Sequence, residues 1–278
     1  MKLAFFLLML LPPEKSHFVA LNALKFFYKL KIIQFFFPYK DSGTSFSFKG
    51  LKFKNRLGIA AGLDKNGDFI DPLGALGFGF IEIGTVTPLA QPGNSKPRVF
   101  RFSSQGAIVN RLGFNNKGVD YLVNRIKSRT YKGVLGINIG ANKDSEGQKR
   151  IDDYIECFLK VCPYADYIAV NISSPNTPNL RSLHLEENFL PLFEALSVAR
   201  NEEEYTKPIF IKLSPDEEKK IITVILDAIK DFEFEGVITS NNTINKDKLS
   251  ESGRQTHDDG WSGKPLLSNT IDILKCAH

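Results

Sequence analysis

Cysteine and histidine are scarce in this chain, which has three cysteines and four histidines among 278 residues. No two cysteines form a CxxC pair, so neither a zinc site nor a disulfide framework is indicated, and a reducing compartment fits best. The chain also lacks a GxGxxG turn that opens a helix and a Walker lysine, which argues against a Rossmann or P-loop nucleotide site. No His, Asp and Glu cluster follows the apolar runs, so we expect no metal centre.

Long apolar runs are absent as well. The longest, residues 3–11, has nine residues, whereas a helix that spans a bilayer needs about 20. Residues 1–40 carry six lysines against Glu14 alone, which equals the net charge of +5 of the whole chain. The same segment is rich in phenylalanine, a combination typical of amphipathic helices that lie at a lipid surface. A nucleic-acid partner is not expected, because no basic stripe continues into the rest of the chain.

The pattern divides the chain into two parts. We expect helices over residues 1–40, interrupted at Pro12-Pro13 and ended at Pro38, and a polar linker over residues 41–47. The second part, residues 41–278, contains six short apolar runs that are separated by helix-sized intervals. This pattern predicts βαβ units and a parallel sheet. The predicted strands are residues 57–60, 78–83, 134–139, 167–170, 209–213 and 236–239.

Polar or glycine-rich residues directly follow each of these six runs. In an α/β barrel the loops after the strands converge at one end, so we expect one shared site there. An eight-stranded barrel needs two more strands than the chain supplies, so we expect a (β/α)8 TIM barrel that is incomplete, with about six of eight strands.

The segment Asn171–Pro178 places amides, hydroxyls and two prolines after the fourth run, and the prolines make it stiff. Asparagines at the strand ends can donate and accept hydrogen bonds, and Lys65 and Lys212 add positive charge, which suits a planar anionic ligand. Lys212 interrupts an apolar run, where an unpaired charge is costly, and this favours a functional role. A loop asparagine is as often a helix cap or turn residue.

Ser173 and Ser174 have no neighbouring histidine for a hydrolase triad, yet a serine in a dry site can accept a proton.

Several strings are similar to those of a known family. They are AAGLDKNG (60–67), IEIGTVTPLAQPGNSKPRVFR (81–101), NRLGFNNKGVD (110–120), GINIGANKD (136–144), NISSPNTPNLRSL (171–183) and SGKPL (262–266). The chain resembles dihydroorotate dehydrogenase. Within that family it resembles the membrane-associated, quinone-dependent class 2, because Ser174 stands at the base position where class 1 has cysteine and because an amphipathic extension precedes the barrel.

The resemblance implies a barrel that binds FMN and oxidises (S)-dihydroorotate to orotate in de novo pyrimidine (UMP) biosynthesis, with a membrane quinone as the final electron acceptor. It implies that Ser174 takes the proton from C5 of the substrate while C6 gives a hydride to flavin N5. The FMN contacts that it implies are Ala61, Gly62, Leu63, Asp64, Lys65, Thr85, Asn138, Asn171, Lys212, Ser240 and Gly263. The substrate contacts that it implies are Lys65, Asn110, Arg111, Leu112, Gly113, Phe114, Asn171, Asn176, Asn241 and Asn242.

The resemblance also gives the N-terminal helices a function. It implies that they form an apolar tunnel for the quinone, and that residues 1–40 hold the protein on the membrane surface, on the cytoplasmic face of the cell membrane if the source is bacterial. The two strands that carry the FMN phosphate site in the family have no counterpart in residues 1–278. Two hypotheses therefore stay open: the enzyme given as an incomplete sequence, or a truncated inactive remnant without a stable FMN phosphate site.

Overall fold

The computed structural model describes residues 2–36, 45–174, 183, 186–245 and 259–277. The chain begins with helices α1 (Lys2–Met9), α2 (Pro13–Lys29) and α3 (Ile33–Phe36). The predicted interruption at Pro12-Pro13 is confirmed, because α2 begins at Pro13, where the missing N–H of proline costs no hydrogen bond. A second break, not predicted, follows α2 at Lys31, whose φ is 58°. The predicted end at Pro38 lies outside the described residues.

The N-terminal helices expose an apolar surface. Phe18 is 66% exposed and Leu10 67% exposed, although both are large apolar side chains. The exposed apolar residues of this segment are Phe6, Leu7, Met9, Leu10, Phe18, Val19, Phe26, Phe27, Leu30 and Phe35. Over the described part of the chain, every helix is too short or too polar to cross a bilayer.

A short hairpin connects these helices to the barrel. It consists of β1 (Phe46–Phe48) and β2 (Leu51–Phe53), paired antiparallel. The predicted linker over residues 41–47 is therefore wrong at its end, since Phe46 and Ser47 lie in a strand. Phe46 is held there by packing: its ring stacks on Phe53 at 4.7 Å between centroids, and Phe53 packs with Val134 and Tyr167 inside the sheet.

The main sheet has six parallel strands in the order β10-β9-β8-β7-β4-β3. The strands of this sheet therefore lie side by side in the order in which they occur along the chain. These strands and those of a smaller sheet are β3 (Gly58–Ile59), β4 (Phe80–Val86), β5 (Val99–Phe102), β6 (Ala107–Asn110), β7 (Val134–Ile139), β8 (Tyr167–Asn171), β9 (Ile209–Leu213), β10 (Gly236–Thr239) and β11 (Gly260–Gly263). The six predicted strands are confirmed. The sheet curls as part of a barrel, which confirms the predicted α/β fold with about six of eight strands.

Helices alternate with the parallel strands and cover the outer face of the sheet. They are α4 (Ile70–Gly74), α5 (Val119–Lys127), α6 (Gly147–Val161), α7 (Glu186–Glu202), α8 (Lys219–Asp231) and α9 (Leu267–Ala277). Strand side chains alternate between faces, so Ile81 and Ile83 pack outward in the main core with Ile137. Glu82, between them in sequence, therefore faces the inside of the barrel. This alternation places the polar strand residues on the inner face of the curled sheet.

A second, antiparallel sheet lies beside the barrel. It consists of β5, β6 and β11 in the order β11-β6-β5, and it was not predicted. Arg101 of β5 donates hydrogen bonds to the carbonyls of Met9 and Leu11, at 3.2 and 2.9 Å. The N-terminal helices are therefore attached to this sheet.

Candidate active site

Four polar side chains meet at the carboxyl ends of the parallel strands. Asn171, at the end of β8, donates through Nδ2 to Thr85 Oγ1 at 3.0 Å and to Asn138 Oδ1 at 3.3 Å. Thr85 in turn donates to Asn138 Oδ1 at 2.5 Å, and Asn241 Nδ2 donates to Asn171 Oδ1 at 3.2 Å. These residues, which we call the amide network, come from β4, β7, β8 and the loop after β10. The structure thus brings together Thr85, Asn171 and Asn241, which sequence analysis placed at the strand ends, and Asn138, which the family resemblance named.

The amide network rests on a carboxyl group inside the barrel. Glu82 is 4% exposed, and it accepts from Asn138 Nδ2 at 2.9 Å and from the Tyr167 hydroxyl at 3.0 Å. Burial raises the pKa of Tyr167, and so does the neighbouring Glu82. The Tyr167 hydroxyl therefore stays protonated and donates a hydrogen bond to Glu82. Because Asn138 Nδ2 is bound to Glu82, its Oδ1 must face Thr85 and Asn171. Glu82 therefore sets the orientation of the asparagine amides.

Sequence reasoning missed Glu82 and the role of Ser173. The signal for Glu82 was present, since a carboxyl group interrupts an apolar strand just as Lys212 does. Ser173 is fully buried, donates to Asn171 Oδ1 at 3.1 Å and accepts from Asn241 Nδ2 at 3.1 Å. Ser173 thus joins the two asparagines of the network.

Ser174 follows directly and is 4% exposed. Its position after the network places the candidate base at the same strand end. Asn176, a predicted substrate contact, lies outside the described residues, as do the prolines at 175 and 178.

The loop after β3 lies against the end of β4. Gly62 N–H donates to Gly84 O at 2.8 Å, and Gly84 N–H donates to Asp64 O at 3.0 Å. Gly62 has φ of +106°, and a Cβ built on it would meet no atom within 4 Å. The loop is thus anchored by its backbone, with open space beside Gly62. Ala61 and Leu63 flank this glycine in the same loop, and the Leu63 side chain is exposed.

The two charged residues of this loop behave differently. Asp64 is buried and accepts from the backbone N–H groups of Asp68 and Phe69 at 3.0 and 2.7 Å, so its carboxyl group closes a turn. Lys65 Nζ donates to Gly62 O at 2.8 Å. Burial, and then the Arg98 guanidinium, lower the pKa of Lys65 to about 8.

Lys212 of β9 lies opposite Asn171 of β8 in the register of the sheet. It is 7% exposed, and none of the described residues forms a hydrogen bond or an ion pair with its Nζ. A buried ammonium group is costly without an electron-rich partner. The surroundings of Lys212 therefore fit a bound anionic or electron-rich group.

The segment after β6 lies partly beside the ends of the parallel strands and partly beside the smaller sheet. A Cβ built on Gly140 would lie 2.8 Å from Thr85 Cγ2 and 3.1 Å from the Phe114 ring. Phe114 is thus next to the amide network. Its backbone has φ of 50°, and Asn116 Nδ2 holds its carbonyl at 2.7 Å.

Arg111 is directed elsewhere. Its guanidinium donates to Pro97 O at 2.9 Å and lies 3.7 Å from the Asp259 carboxyl group. The carbonyls of Arg111, Leu112 and Gly113 accept from Asn94 and Gln91, and the Asn110 side chain accepts from Leu112 N–H at 3.5 Å. These bonds fix the path of the backbone from residue 110 to residue 114.

The remaining predicted residues lie beyond the network. Ser240 Oγ is 3.0 Å from Thr270 Oγ1 on α9. Gly263 lies in β11 with φ of +93°, and a Cβ there would lie 2.4 Å from Gly106 O. Asn242 N–H donates to Asn241 Oδ1 at 2.8 Å, so Asn242 continues the loop from the network. Ser240 and Gly263 make no hydrogen bond with the network in the part of the chain that the structure describes.

Comparisons with known proteins agree with one another. The dihydroorotate dehydrogenase family profile matches residues 44–276. A protein of Marinobacter nauticus named dihydroorotate dehydrogenase (quinone) is 43% identical over 273 residues, with 97% of this chain and 80% of the relative covered. A protein of the same name from Proteus mirabilis is 45% identical over 274 residues, with 95% and 80% covered.

A solved structure shares the fold. The crystal structure of DHODH from Eimeria tenella in complex with ferulenol has a TM-score of 0.80 and 30% identity, with 95% of this chain and 78% of that chain covered. Each relative is named as an enzyme, so the comparisons give no support to the alternative of an inactive remnant. The chain belongs to the dihydroorotate dehydrogenase family, in its quinone-dependent class.

Proposed function

We propose that this protein oxidises (S)-dihydroorotate to orotate, with a membrane quinone as the final electron acceptor, in de novo pyrimidine (UMP) biosynthesis. The family match over residues 44–276 carries the proposal. The amide network supports it, because oriented amides and hydroxyls at the strand ends can bind a planar ring that has both N–H and carbonyl edges.

The family is flavin-dependent, and we propose FMN as the flavin. The described residues fit such a group on two counts: Lys212 is a buried cation that forms no hydrogen bond or ion pair with any of them, and the loop beside Gly62 is open. When bound, the flavin supplies a two-electron acceptor, and the protein supplies orientation and charge. The residues proposed to hold it are Ala61, Gly62, Leu63, Asp64, Lys65, Thr85, Asn138, Asn171, Lys212, Ser240 and Gly263. For Asp64 the contact would come from its backbone, because its carboxyl group closes the turn at Asp68 and Phe69.

We propose that Ser174 is the base that takes the proton from C5 of dihydroorotate. Its burial excludes bulk water, which strengthens any hydrogen bond that polarises the hydroxyl group. The Ser173 hydroxyl donates to Asn171 Oδ1 and accepts from Asn241 Nδ2, so it holds the amide network together. The residues proposed to bind substrate are Lys65, Asn110, Arg111, Leu112, Gly113, Phe114, Asn171, Asn176, Asn241 and Asn242. For Arg111 the contact would come from its backbone, because its guanidinium donates to Pro97 O and lies near Asp259.

The charges suit an anionic substrate. Lys65 carries the positive charge that would meet the carboxylate of dihydroorotate, and it is held in place by its bond to Gly62 O. No metal and no nucleic acid take part in the proposed reaction.

We propose that residues 1–40 hold the protein on the membrane surface, while residues 41–278 form the flavin-binding barrel. The exposed apolar side chains of α1 and α2 would enter the lipid, and the lysines of the same segment would meet anionic head groups. Such a protein is peripheral, and we place it on the cytoplasmic face of the cell membrane if the source is bacterial.

The experiment is an assay of the purified protein with dihydroorotate and a quinone-analogue dye. We expect dye reduction and orotate formation in equal amounts. Lys212→Met should lose bound flavin and dye reduction, whereas Lys230→Met, which removes an exposed lysine of α8, should change neither. Flavin-loaded protein that reduces no dye with dihydroorotate would contradict the proposed function.

A further inference from the structure

We propose that Glu14, on the N-terminal helix α2, is a positioning residue for substrate: it holds Arg98, and through Arg98 it holds the substrate segment Asn110–Phe114 in its binding geometry. This inference rests on the proposed function, since that segment is assigned to dihydroorotate. It gives the N-terminal helices a second role, at the substrate end of the reaction.

The first link is the pair between Glu14 and Arg98. Arg98 Nη2 donates to Glu14 Oε1 at 2.7 Å, and Arg98 Nε lies 3.2 and 3.4 Å from the two carboxyl oxygens. Arg98 is 6% exposed, so the guanidinium side of this two-pronged pair is shielded from water, whereas the Glu14 side chain is 29% exposed. Burial alone would raise the pKa of Glu14, but the Arg98 guanidinium, followed by the charges of Lys96 and Lys65, outweighs burial, so the pKa lies below its usual value. Removing one partner of such a pair leaves the other charge buried and unpaired.

The second link runs from Arg98 to the turn before it. Arg98 Nη1 donates to the carbonyls of Pro92 and Asn94, at 2.6 and 3.0 Å. The same guanidinium therefore holds Glu14 with one side and residues 92–94 with the other. A guanidinium that moves toward water after loss of Glu14 would release both carbonyls.

The third link joins this turn to the substrate segment. Asn94 Nδ2 donates to Arg111 O at 2.9 Å, and Asn94 N–H donates to Leu112 O at 3.1 Å. Arg111 N–H donates to Arg98 O at 2.9 Å. A Cβ built on Gly93 would lie 2.2 Å from Leu112 O, so the two segments are in close contact. The turn cannot shift without moving residues 111 and 112.

Electrostatics supply an independent readout at Lys65. The charged or titratable groups that act on Lys65 are Arg98, Glu14, Asp64 and His17. Burial and Arg98 lower the pKa of Lys65, whereas Glu14 and Asp64 raise it. Without the Glu14 charge, Lys65 should lose its proton at a lower pH. Binding of the orotate carboxylate should then weaken at a lower pH than in the wild-type protein.

The experiment compares Glu14→Gln with the control Lys96→Met in the full flavin-loaded protein. Lys96 Nζ lies 3.7 Å from the same carboxyl group but its side chain is 70% exposed, so its pair should contribute little. We expect Glu14→Gln to raise the orotate Kd and the dihydroorotate KM about tenfold, a change that corresponds to about 1.4 kcal/mol. The kcat, the quinone KM and the flavin content should stay within about twofold, and Lys96→Met should leave all of these values within the same about twofold range.

Two further measurements separate positioning from simple helix docking. Amide hydrogen exchange over residues 110–114 should become faster in Glu14→Gln while exchange over α6 stays unchanged, and the pH at which orotate binding weakens should move down. A rise of the quinone KM together with the dihydroorotate KM would overturn the proposal, because it would mean that α2 has merely detached. An unchanged orotate Kd with unchanged exchange would overturn it as well. If the wild-type protein binds no orotate, the proposed function fails, and the exchange measurement alone still decides the role of Glu14.

Discussion

Replacing Glu82 by leucine tests the inference that a buried carboxyl group supports the amide network. Leucine has a similar size but accepts no hydrogen bond, so Asn138 Nδ2 and the Tyr167 hydroxyl lose their partner. Asn138 is fully buried and Tyr167 is 4% exposed, so water cannot replace Glu82 at either donor without a local opening.

The magnitude follows from these two donors. Each buried donor left without an acceptor costs about 1–3 kcal/mol, so the two together cost about 2–6 kcal/mol. Removal of a buried carboxyl group offsets part of this cost, because its desolvation penalty disappears. We therefore expect a loss of about 3 kcal/mol in the free energy of unfolding, which lowers the melting temperature by about 6–10 °C. The flavin content should fall too, because the Asn138 side-chain amide, without its bond to Glu82, can rotate and exchange the positions of its Oδ1 and Nδ2.

The assay is thermal unfolding followed by circular dichroism, with three reference variants. Glu82→Gln keeps an acceptor for Asn138 and should cost less than about 1 kcal/mol. Tyr167→Phe removes only one bond and should lie between wild type and Glu82→Leu. The double variant Glu82→Leu with Tyr167→Phe should be more stable than Glu82→Leu by about 1–2 kcal/mol, because one orphaned donor is gone. A Glu82→Leu protein as stable as wild type, or a double variant less stable than Glu82→Leu, would refute the reasoning.

Three other predictions concern the proposed base, the charge of Lys65 and the exposed apolar side chains of α2. Ser174→Ala should keep bound flavin but lose reduction of that flavin by dihydroorotate by about 100-fold or more, as stopped-flow absorbance would measure; unchanged reduction would mean that the base is another group. The pKa of Lys65 is about 8 in the folded protein, below its ordinary 10.5, so its charge is present below about pH 8 and lost above it. Orotate affinity measured by calorimetry should therefore fall as the pH rises through 8, and Lys65→Met should abolish this dependence. Phe18→Gln and Phe26→Gln should each weaken binding to anionic vesicles in sedimentation assays by about tenfold. Leu89→Gln, at an equally exposed site on the barrel, should not weaken it. Equal binding by all three variants would contradict the proposal that residues 1–40 bind the membrane.

The parallel strands could be predicted because each is an apolar run bounded by polar residues. The run at residues 209–213 and that at 134–139 agree with β9 and β7 at both ends. The smaller antiparallel sheet could not be predicted in this way. Its strand β6 pairs with β11, about 150 residues later in the chain, and such a pairing depends on tertiary packing more than on local pattern. Phe46 was placed in a linker for the same reason, since only its contact with Phe53 reveals a strand.

The site was predictable at its strand ends and less so beneath them. Thr85 and Asn171 were found because the ends of parallel strands meet in a barrel, whereas Asn138 was named only through the resemblance to the family. Glu82 was missed because its partners come from two other strands, and sequence alone does not reveal that Asn138 and Tyr167 surround it. The orientation of Arg111 toward Asp259 likewise depends on the fold of the antiparallel sheet.

The most direct test of the proposed reaction is an anaerobic titration of the purified, flavin-loaded protein with dihydroorotate. We predict that the visible flavin absorbance bleaches, that one orotate forms for each flavin reduced, and that added quinone restores the absorbance. Flavin that stays oxidised in excess dihydroorotate, in protein that is folded and fully loaded, would contradict the account.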